Sequence, residues 1–343
     1  MTQSKKFKNP RANHDFKGRT CSITGVGSYV PSRVVTNADL EKLVDTSDEW
    51  IFSRTGIKER RVAATDEFTS DLAAHAAERA MKKAGVKPEQ IDLIIVATIT
   101  PDMPFPSTAC LVQQKIGAYR AAAFDIEAAC SGFIYGLEIG QQFIMSRTYD
   151  TVLVIGAEKL SSIINWSDRN TCVLFGDGAG AAILQNRPNS HGLLTACMGA
   201  DGQKADLLSM PAGGSRCPAS AQSVAAGLHY LRMDGKEAFK NAVQAMDTAA
   251  RECLRRCEID ITQIKCIIPH QANQRIIDAV GKRINAAPEQ IFMNLEKYGN
   301  TSAASVAIAL DEAVETGRVQ RGDLILLVVF GAGLTWGAAV IEW

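Results

Sequence analysis

A helix end, a turn and a buried strand follow one another in the stretch AGVKPEQIDLII, which spans residues 84–95. The same order returns in CEIDITQIKCII at residues 257–268. Position 95 of the first stretch corresponds to position 268 of the second, an offset close to half of the 343-residue chain. A repeated helix–turn–strand unit at this spacing predicts a fold made of two related halves.

A second pair of matching stretches supports the duplication. FGDGAGAAIL at residues 175–184 is echoed by FGAGLTWGAAVI at residues 330–341, and both read as a glycine-rich turn that feeds a closing strand. Continuous apolar runs predict buried strands over Asp92–Thr98, Val152–Gly156, Lys265–Ile268 and Leu324–Phe330. Helical patterns lie between them, over Asp71–Lys83 and Lys236–Arg256. Sheets covered by helices on both faces produce this pattern, so the sequence predicts an α/β fold.

A polar break, NRPNS at residues 186–190, separates the two predicted halves. We therefore expect a first half over residues 20–190 and a second half over residues 191–343. Residues 1–19 are polar and basic and are expected to form a flexible N-terminal extension.

The charge balance excludes a general attraction to nucleic acid, because 37 basic residues offset 37 acidic ones. The longest apolar runs, residues 93–99 and 324–330, are far shorter than the ~20 residues of a membrane-spanning helix. The basic N-terminal residues are not followed by the apolar stretch of a secretory signal. These features predict a cytoplasmic protein without a membrane partner.

The nine cysteines are scattered and odd in number, which suits free thiols in a reducing compartment. A zinc site formed by Cys253, Cys257, Cys266 and His270 is an alternative. It is disfavoured because the first two cysteines fall in a predicted helix and Cys266 falls in a predicted strand. No metal site is therefore expected.

Three polar residues stand where an apolar run gives way to a turn. Cys130 lies between the strand-like Ala123–Ile126 and a helical run that starts at Phe133, so unpaired N–H groups at a helix N-terminus are expected to favour its thiolate. His270 ends the stretch CIIP, and Asn300 precedes another helical segment. Cys130 and Asn300 are separated by nearly the same offset as the repeated stretches, which suggests related positions in the two halves. Strand-end loops are where open sheets carry their chemistry, so one site using all three residues is predicted.

An ordered set of motifs extends this pattern along nearly the whole chain. The motifs are NADLE at 37–41, TSDEWI at 46–51, RTGI at 54–57, FGDGAGAA at 175–182, PHQAN at 269–273 and GNTSAAS at 299–305. In these motifs the chain resembles the thiolase-like condensing enzymes, most closely the β-ketoacyl-acyl-carrier-protein synthase III family. The resemblance implies a duplicated thiolase-like fold, with two pseudo-twofold halves in α-β-α-β-α layers.

The family resemblance also implies a catalytic set and an activity. Cys130 would carry an acyl group, while His270 and Asn300 would stabilise the enolate left when a malonyl thioester loses carbon dioxide. The backbone N–H groups of Cys130 and Ala332 would form an oxyanion hole. Ala332 stands where the family often has glycine, so the acyl pocket is expected to be affected. The implied product is a 3-oxoacyl-acyl-carrier protein, made at the start of fatty-acid synthesis without a cofactor.

Further residues receive roles from the same resemblance. Coenzyme A would lie against Trp50, Arg54, Arg169 and Asn273. The acidic carrier protein would contact Lys240 and Arg275, and Phe105 would reach the acyl pocket of the partner in a homodimer.

Two alternatives stay open at the level of the sequence. A related condensing enzyme of secondary metabolism would use a longer or aromatic acyl-CoA in place of acetyl-CoA. A cysteine hydrolase is an alternative from a different class, since Cys–His–Asn sets also occur in papain-like proteases. A non-catalytic acyl-binding protein is a third class.

Overall fold

The structure, a computed structural model, describes residues 19–187 and 192–343. The expected extension before Arg19 and the expected boundary at residue 190 lie outside the described residues. The strands are β1 (Cys21–Tyr29), β2 (Val34–Thr36), β3 (Glu59–Arg61), β4 (Leu93–Ala97), β5 (Ala122–Ile126), β6 (Thr151–Glu158), β7 (Gly178–Asn186), β8 (Leu193–Ala200), β9 (Leu208–Ser209), β10 (Arg232–Met233), β11 (Cys266–Pro269), β12 (Leu324–Gly331) and β13 (Thr335–Glu342). The helices are α1 (Asn37–Leu40), α2 (Asp48–Thr55), α3 (Thr69–Ala84), α4 (Thr108–Ile116), α5 (Gly132–Met145), α6 (Arg169–Cys172), α7 (Ala221–Ala225), α8 (Gly235–Cys257), α9 (Gln274–Arg283), α10 (Leu295–Tyr298) and α11 (Ser305–Glu315).

Two larger sheets share one strand order. The first sheet runs β1-β7-β6-β4-β5, with β4 parallel to β5 and β6, and β7 antiparallel to β1 and β6. The second runs β8-β13-β12-β11, with β11 parallel to β12 and β13 antiparallel to β8 and β12. An isolated parallel bridge between Ile267 and Ile291 occupies the position that β5 has beside β4. The repeated order confirms the predicted duplicated α/β fold.

Helices form three layers around the two sheets. On the outer face of the first sheet, α3 and α4 pack, and on the outer face of the second, α8 does. Between the sheets lie α5 and α11, which contact strands of both. These layers are the predicted α-β-α-β-α arrangement.

Strand β4 shows why its sequence is continuously apolar. Leu93 and Ile95 point into the core between the sheets, whereas Ile94 and Val96 point into the core beneath α3. Successive strand residues face opposite sides of a sheet, so a sheet covered on both faces needs apolar residues at every position. Across the described residues, no helix combines the length and the apolar character required to cross a membrane.

Glycines allow the central helix α11 and the turn before it to approach the first sheet closely. A Cβ atom added at Gly180 of β7 would lie 2.4 Å from the Cβ atom of Ala307 and 2.8 Å from its carbonyl carbon in α11. A Cβ atom at Gly156 of β6 would lie 2.4 Å from the carbonyl oxygen of Ala303. Side chains at these positions would push α11 away from the sheet.

The substitution Gly180→Ala is therefore expected to destabilise the protein by about 1–3 kcal/mol, the usual cost of overpacking a dense core. Thermal unfolding followed by circular dichroism should show a lower Tm. Gly202→Ala is the matched control, because a Cβ atom added there has no neighbour within 4 Å. Equal Tm values for the two variants would contradict this account of the packing.

Candidate active site

Cys130 lies in a 3-10 turn, Ala129–Ser131, which joins β5 to the N-terminus of α5. This is the predicted position between a strand and a helix. The residue before it, Ala129, has a φ of 46°, a left-handed conformation that is uncommon for a residue with a side chain. The turn places the buried thiol at the boundary between the two halves, since the same turn contacts β12 of the second sheet.

The second half contains the counterpart of this turn at Ser302–Ala304, directly before α11. Ser302 has a φ of 48°, and its offset from Ala129 equals the offset between positions 95 and 268 of the sequence repeat. Cys130 therefore corresponds to Ala303, and the predicted correspondence with Asn300 is wrong. The prediction aligned the polar side chains, whereas the backbone conformation of the two turns defines the repeat.

His270 follows β11 and its backbone N–H donates to the carbonyl of Val328 at 2.7 Å. Its Nδ1 atom lies 2.6 Å from the Ser305 hydroxyl oxygen. Burial lowers the pKa of His270 to about 4, so the imidazole is neutral near pH 7. When Ser305 donates to Nδ1, the single ring proton is on Nε2, where it can be donated to a substrate.

Asn300 is held by its backbone and by one side-chain oxygen. Its N–H donates to the carbonyl of Leu174 at 2.8 Å, and its own carbonyl accepts from Gly176 at 3.0 Å. The Oδ1 atom accepts the backbone N–H of Ser302 at 2.9 Å. The amide is thereby oriented so that its remaining polar group, the Nδ2 donor, can face a ligand. Asn300 follows α10 and forms an isolated bridge with Phe175, rather than following a regular strand.

Cys130, His270 and Asn300 line one cavity of about 70 Å³. The structure therefore brings together the three residues that the sequence predicted. The rest of the lining is mostly apolar: Phe175, Leu208, Met233, Ala238, Ala242, Met246, Ala272, Ile276, Phe330 and Gly331. A small, mostly apolar cavity with two polar donors beside a thiol suits a reaction in which negative charge develops on one oxygen.

The thiol is not the thiolate expected from its place at a helix N-terminus. Burial raises the pKa of Cys130 to about 12, and the nearby Glu158 acts in the same direction. Hydrogen bonds with the Ser302 hydroxyl and with the Cys130 backbone N–H oppose that rise without reversing it. In the resting site the sulfur is therefore protonated, and a reaction that needs the thiolate must first transfer this proton.

The turn after β12 lies against the Cys130 backbone. A Cβ atom added at Gly331 would lie 2.7 Å from the Cys130 backbone nitrogen. The Thr335 hydroxyl lies 2.9 Å from the carbonyl oxygens of both Ala128 and Ala332, which ties the two loops together. The left-handed residue of the turn is Gly333, with a φ of 126°, so Ala332 occupies a position that accepts a side chain. The geometry leaves the Cys130 and Ala332 N–H groups as candidate oxyanion donors.

A second cavity of about 640 Å³ begins on the other side of this backbone. Ala128, Ala129 and Ala332 line its floor, and Leu208 lines both cavities. The remaining walls come from Thr98, Ile99, Pro101, Pro104, Asp125, Ile126, Glu127, Ile163, Ala205, Ser209, Met210, Leu231, Gly333 and Thr335. The space is large enough for an acyl group considerably longer than acetyl.

The residues expected to bind coenzyme A form a second cluster. Two guanidinium groups lie over the Trp50 ring, with the Arg54 carbon 4.6 Å and the Arg169 carbon 4.8 Å from its centroid. Asn273 joins them, because its Nδ2 atom donates to the Arg54 carbonyl at 3.0 Å. All four residues are thus brought together, in an arrangement suited to stacking a planar base.

Lys240 and Arg275 are exposed on the neighbouring helices α8 and α9. The Arg275 guanidinium lies 5.9 Å from the centroid of the Phe239 ring, which places it beside the helix that carries Lys240. The two cations share one surface and can contact the same acidic partner.

Phe105 is 84% exposed in the loop after β4, between Pro104 and Pro106. Pro104 of the same loop lines the larger cavity. The adjacent β5 is the edge strand of its sheet, and its residues are exposed or half-buried. The structure leaves Phe105 outside the cavity of its own chain.

Two of the four residues considered for zinc, Cys253 and His270, have other hydrogen-bond partners. Cys253 donates to the carbonyl of Ala338 at 3.1 Å. His270 uses Nδ1 for Ser305, as described above. Among residues 19–187 and 192–343, no cluster of three or more His, Cys, Asp or Glu side chains is arranged to hold a metal ion.

Three residues around the site, Ser302, Ser305 and Glu158, were not predicted from the sequence. Ser302 and Ser305 lie within the motif GNTSAAS, where their small hydroxyl side chains resemble ordinary turn and helix-start residues. Glu158 ends β6 and is fully buried. A carboxylate at the end of a buried strand is a signal that the sequence offers. Functional residues concentrate at the carboxyl ends of the strands in such sheets.

Similarity to known proteins covers nearly the whole chain. The family model for the 3-oxoacyl-[acyl-carrier-protein] synthase III C-terminal region matches residues 254–343, and that for 3-oxoacyl-[acyl-carrier-protein] synthase III matches residues 124–202. The β-ketoacyl-[acyl-carrier-protein] synthase III of Caldanaerobacter subterraneus is 59% identical over 94% of this chain and 97% of that protein. The crystal structure of the corresponding synthase from Aquifex aeolicus is 49% identical, has a TM-score of 0.88, and is matched over 94% of this chain and 100% of that one. The priming β-ketosynthase of the R1128 polyketide pathway is 36% identical with a TM-score of 0.88, over 94% of this chain and 96% of that one.

Because the pKa of His270 is lowered in the folded protein, the free energy of unfolding should depend on pH. Between the ordinary histidine pKa, about 6.5, and the folded value of about 4, the unfolded chain binds a proton that the folded chain does not. Stability should therefore fall as the pH is lowered through this window, by up to about 3 kcal/mol. In His270→Asn this contribution is absent, so the Tm of the variant should fall less between pH 7 and pH 4.

The exposed His75 offers the control for this measurement, as His75→Asn. Melting curves of the wild type and His75→Asn should shift together with pH. Parallel pH dependence of the wild type and His270→Asn would show that His270 titrates normally in the folded protein.

Proposed function

The chain belongs to the β-ketoacyl-acyl-carrier-protein synthase III family, and on that premise we propose that it joins a short acyl-CoA to malonyl-acyl-carrier protein through an acyl intermediate on Cys130. The relatives at 50–59% identity bear the synthase name, so the condensing activity is that of the family. The observation that carries the proposed mechanism is the single cavity lined by Cys130, His270 and Asn300.

In the first half-reaction, the sulfur of Cys130 attacks the thioester carbonyl of the acyl-CoA. A sulfur–carbon bond forms on Cys130, the carbon–sulfur bond to coenzyme A breaks, and coenzyme A leaves as a thiolate that takes a proton. One thioester replaces another, so the free energy changes little and the main requirement is removal of the thiol proton. The N–H groups of Cys130 and Ala332 would hold the oxyanion of the tetrahedral intermediate.

In the second half-reaction, the malonyl thioester loses carbon dioxide and leaves an enolate. The negative charge collects on the thioester oxygen, where His270 and Asn300 can each donate one hydrogen bond. A neutral imidazole with its proton on Nε2 suits this role, and the amide of Asn300 cannot remove a proton in competition. The enolate carbon then attacks the acyl carbonyl on Cys130 and releases the sulfur.

This chemistry balances with acyl-CoA as a substrate and without a redox or metal cofactor. Carbon dioxide is the leaving group that drives carbon–carbon bond formation, and no electrons are gained or lost overall. We therefore propose that the enzyme works without a cofactor. The scattered, odd set of cysteines suits a reducing compartment, so a cytoplasmic location is part of the proposal.

We assign the adenine of coenzyme A to the Trp50 cluster. An adenine ring can replace one of the two guanidinium groups on the indole face, while the exposed Arg54 and Arg169 offer cations to its phosphates. We assign the carrier protein to the surface of Lys240 and Arg275. Attraction between this surface and an acidic domain would chiefly increase the rate of association.

A homodimer is the assembly that best fits Phe105 and β5. A large exposed aromatic side chain beside an unpaired sheet edge suits an interface between two copies of this chain. In such a dimer the Phe105 side chain would enter the partner's cavity of about 640 Å³ and limit the length of the acyl group.

The size of this cavity favours one further candidate, a condensing enzyme that primes polyketide or other secondary pathways. The 36% identity to a polyketide priming synthase is consistent with it. The higher identity to synthases named without such a pathway favours the initiating role in fatty-acid synthesis.

Intact-mass spectrometry tests the acyl intermediate. Wild-type protein mixed with acetyl-CoA should gain the mass of one acetyl group, Cys130→Ala should gain none, and added malonyl-acyl-carrier protein should discharge the adduct as a 3-oxoacyl product. Cys110→Ala is the matched control, since Cys110 is an exposed free thiol and would report non-specific acylation. An adduct only with longer or aromatic acyl-CoAs would favour the secondary pathway. Release of free acid without an adduct, or no reaction with any thioester, would overturn the proposed intermediate.

The two substrate surfaces can be separated by steady-state kinetics. Trp50→Ala should raise KM for acetyl-CoA about tenfold, the equivalent of about 1.4 kcal/mol, without changing KM for malonyl-acyl-carrier protein. Lys240→Glu should raise KM for the carrier protein severalfold at low salt, with a smaller effect at high salt, and should leave acetyl-CoA unaffected.

Each of these variants is the control for the other, and Lys265→Glu tests charge reversal elsewhere. Lys265 is exposed at the start of β11, at the opposite end of that strand from His270. If Lys265→Glu weakens the use of the carrier protein as strongly as Lys240→Glu does, the assigned carrier surface is wrong.

A further inference from the structure

A buried arginine packs against the backbone that carries Asn300. Arg60 is the middle residue of β3 and has no exposed surface. Its Nη1 atom donates to the Val35 carbonyl at 3.1 Å and to Oδ1 of Asn37 at 2.9 Å. Its Nη2 atom donates to the Val173 carbonyl at 2.7 Å. The guanidinium therefore joins three separate segments of the chain.

The segment that begins at the third acceptor holds Asn300 by its backbone. The N–H of Asn300 donates to the Leu174 carbonyl at 2.8 Å, and the Gly176 N–H donates to the Asn300 carbonyl at 3.0 Å. These two bonds form the isolated bridge of Asn300. The first part of the Arg60 side chain packs against this bridge, because a Cβ atom added at Gly176 or at Gly299 would lie 3.2 or 3.5 Å from the Arg60 Cβ atom. One side chain thus contacts both strands of the bridge and anchors the start of one of them.

Asn37 fixes the guanidinium from the opposite side. The Nδ2 atom of Asn37 donates to Oδ1 of Asp48 at 2.7 Å and to the Ile57 carbonyl at 2.8 Å. Both amide protons are then used, so Oδ1 is the atom that faces Arg60. The position of the guanidinium is therefore set independently of its bond to Val173, and that bond can hold the segment in place.

This arrangement buries a cation against neutral oxygens. Burial lowers the pKa of Arg60 to about 10, so the group is still protonated at pH 7. Its three acceptors are two backbone carbonyls and one amide oxygen, and within the described residues its Nε atom has no hydrogen-bond partner. An apolar side chain of similar size would cost less to bury, so the retained charge points to a role in the site.

Of the three residues proposed to react, Asn300 is the one whose backbone partners Arg60 anchors. His270 is held by hydrogen bonds to β12 and to α11, and Cys130 lies in the turn between β5 and α5. Arg60 itself does not line the cavity of about 70 Å³ that these three residues share. Loss of its guanidinium should therefore affect the step that uses Asn300 and spare the acylation of Cys130.

We propose that Arg60 is a positioning residue, which holds Asn300 where its Nδ2 group can donate to the enolate oxygen. The proposal rests on the proposed role of Asn300 in the second half-reaction. Arg60 acts through the Val173 carbonyl and through the bridge that follows it in the chain. A donor stabilises a developing charge only from the correct position, so a small displacement of Asn300 slows the condensation.

Single-turnover kinetics of the two half-reactions test the proposal. Acetylation of Cys130 at saturating acetyl-CoA, and discharge of the acetyl group by malonyl-acyl-carrier protein, are each followed by quenching and intact-mass spectrometry. Arg60→Gln should be acetylated at the wild-type rate. Its discharge should be about 10–100-fold slower, since a displacement of about 1 Å at a reacting group can cost about 100-fold.

Arg60→Lys is the conservative variant. It keeps the buried cation, but one ammonium nitrogen cannot take the places of both guanidinium nitrogens. Its discharge rate should lie between those of the wild type and Arg60→Gln, with acetylation unchanged. Should Arg60→Gln fail to fold, Arg60→Lys supports the same comparison of the two half-reactions.

A double variant distinguishes positioning from a general loss of structure. Asn300→Ala removes the donor, so adding Arg60→Gln or Arg60→Lys to it should slow the discharge little further, whereas independent effects would multiply. Leu72→Ala is the matched control for lost stability, because Leu72 is fully buried in the core beneath α3. It should lower the Tm and leave the ratio of the two rates unchanged.

The outcomes separate this inference from the mechanism on which it rests. Arg60 variants that discharge at the wild-type rate, that slow both half-reactions equally, or that multiply the effect of Asn300→Ala overturn the positioning role alone. If Asn300→Ala discharges at the wild-type rate, the proposed role of Asn300 is wrong and this inference fails with it. A wild type that is never acetylated overturns the proposed Cys130 intermediate.

Discussion

The close contact of two turns at the centre of the molecule is the constraint on which the site depends. The turn that carries Cys130 meets the turn at Ser302–Ala304 between the two sheets. Gly156 lets the Ala303 carbonyl reach β6, and Gly331 lets the Cys130 N–H reach the end of β12. Each sheet therefore holds the turn of the other half, and a side chain at either glycine would separate them. The distances within the site follow from this packing and not from any single loop.

Burial by this packing shifts the pKa values of three ionisable groups at the centre of the site in the direction that favours their neutral forms. Burial raises the pKa values of Cys130 and Glu158 and lowers that of His270. Groups that are shifted towards their neutral forms cost less to bury than ionised ones, and the donors of the site act on charge when a substrate brings or develops it. A helix N-terminus offers at most a partial positive charge, which does not offset the loss of water around a thiolate at this depth.

The sequence predicted most of the framework because its signals are local or periodic. Continuous apolar runs identified the buried strands, and the repeat at close to half the chain length identified the duplication. Cys130, His270 and Asn300 were found because each breaks an apolar run, whereas the Trp50 cluster came from the family resemblance. The thiolate expectation was wrong because burial depends on residues distant in sequence. Glu158 and Ser302 were missed for the same reason: their contact joins residues 144 positions apart.

The duplication explains why one half supplies the nucleophile and the other supports it. Both halves build the same left-handed turn before a central helix, at Ala129 and at Ser302. In the first half the next residue is Cys130, and in the second it is Ala303, which has no reactive group. The second turn can therefore supply residues that support the first. Its leading residue, an alanine in the first half, is a serine whose hydroxyl donates to Glu158 and whose backbone N–H donates to Oδ1 of Asn300. The repeat thus builds the same turn twice. Sequence differences between the two turns make one carry the candidate nucleophile and the other carry the residues around it.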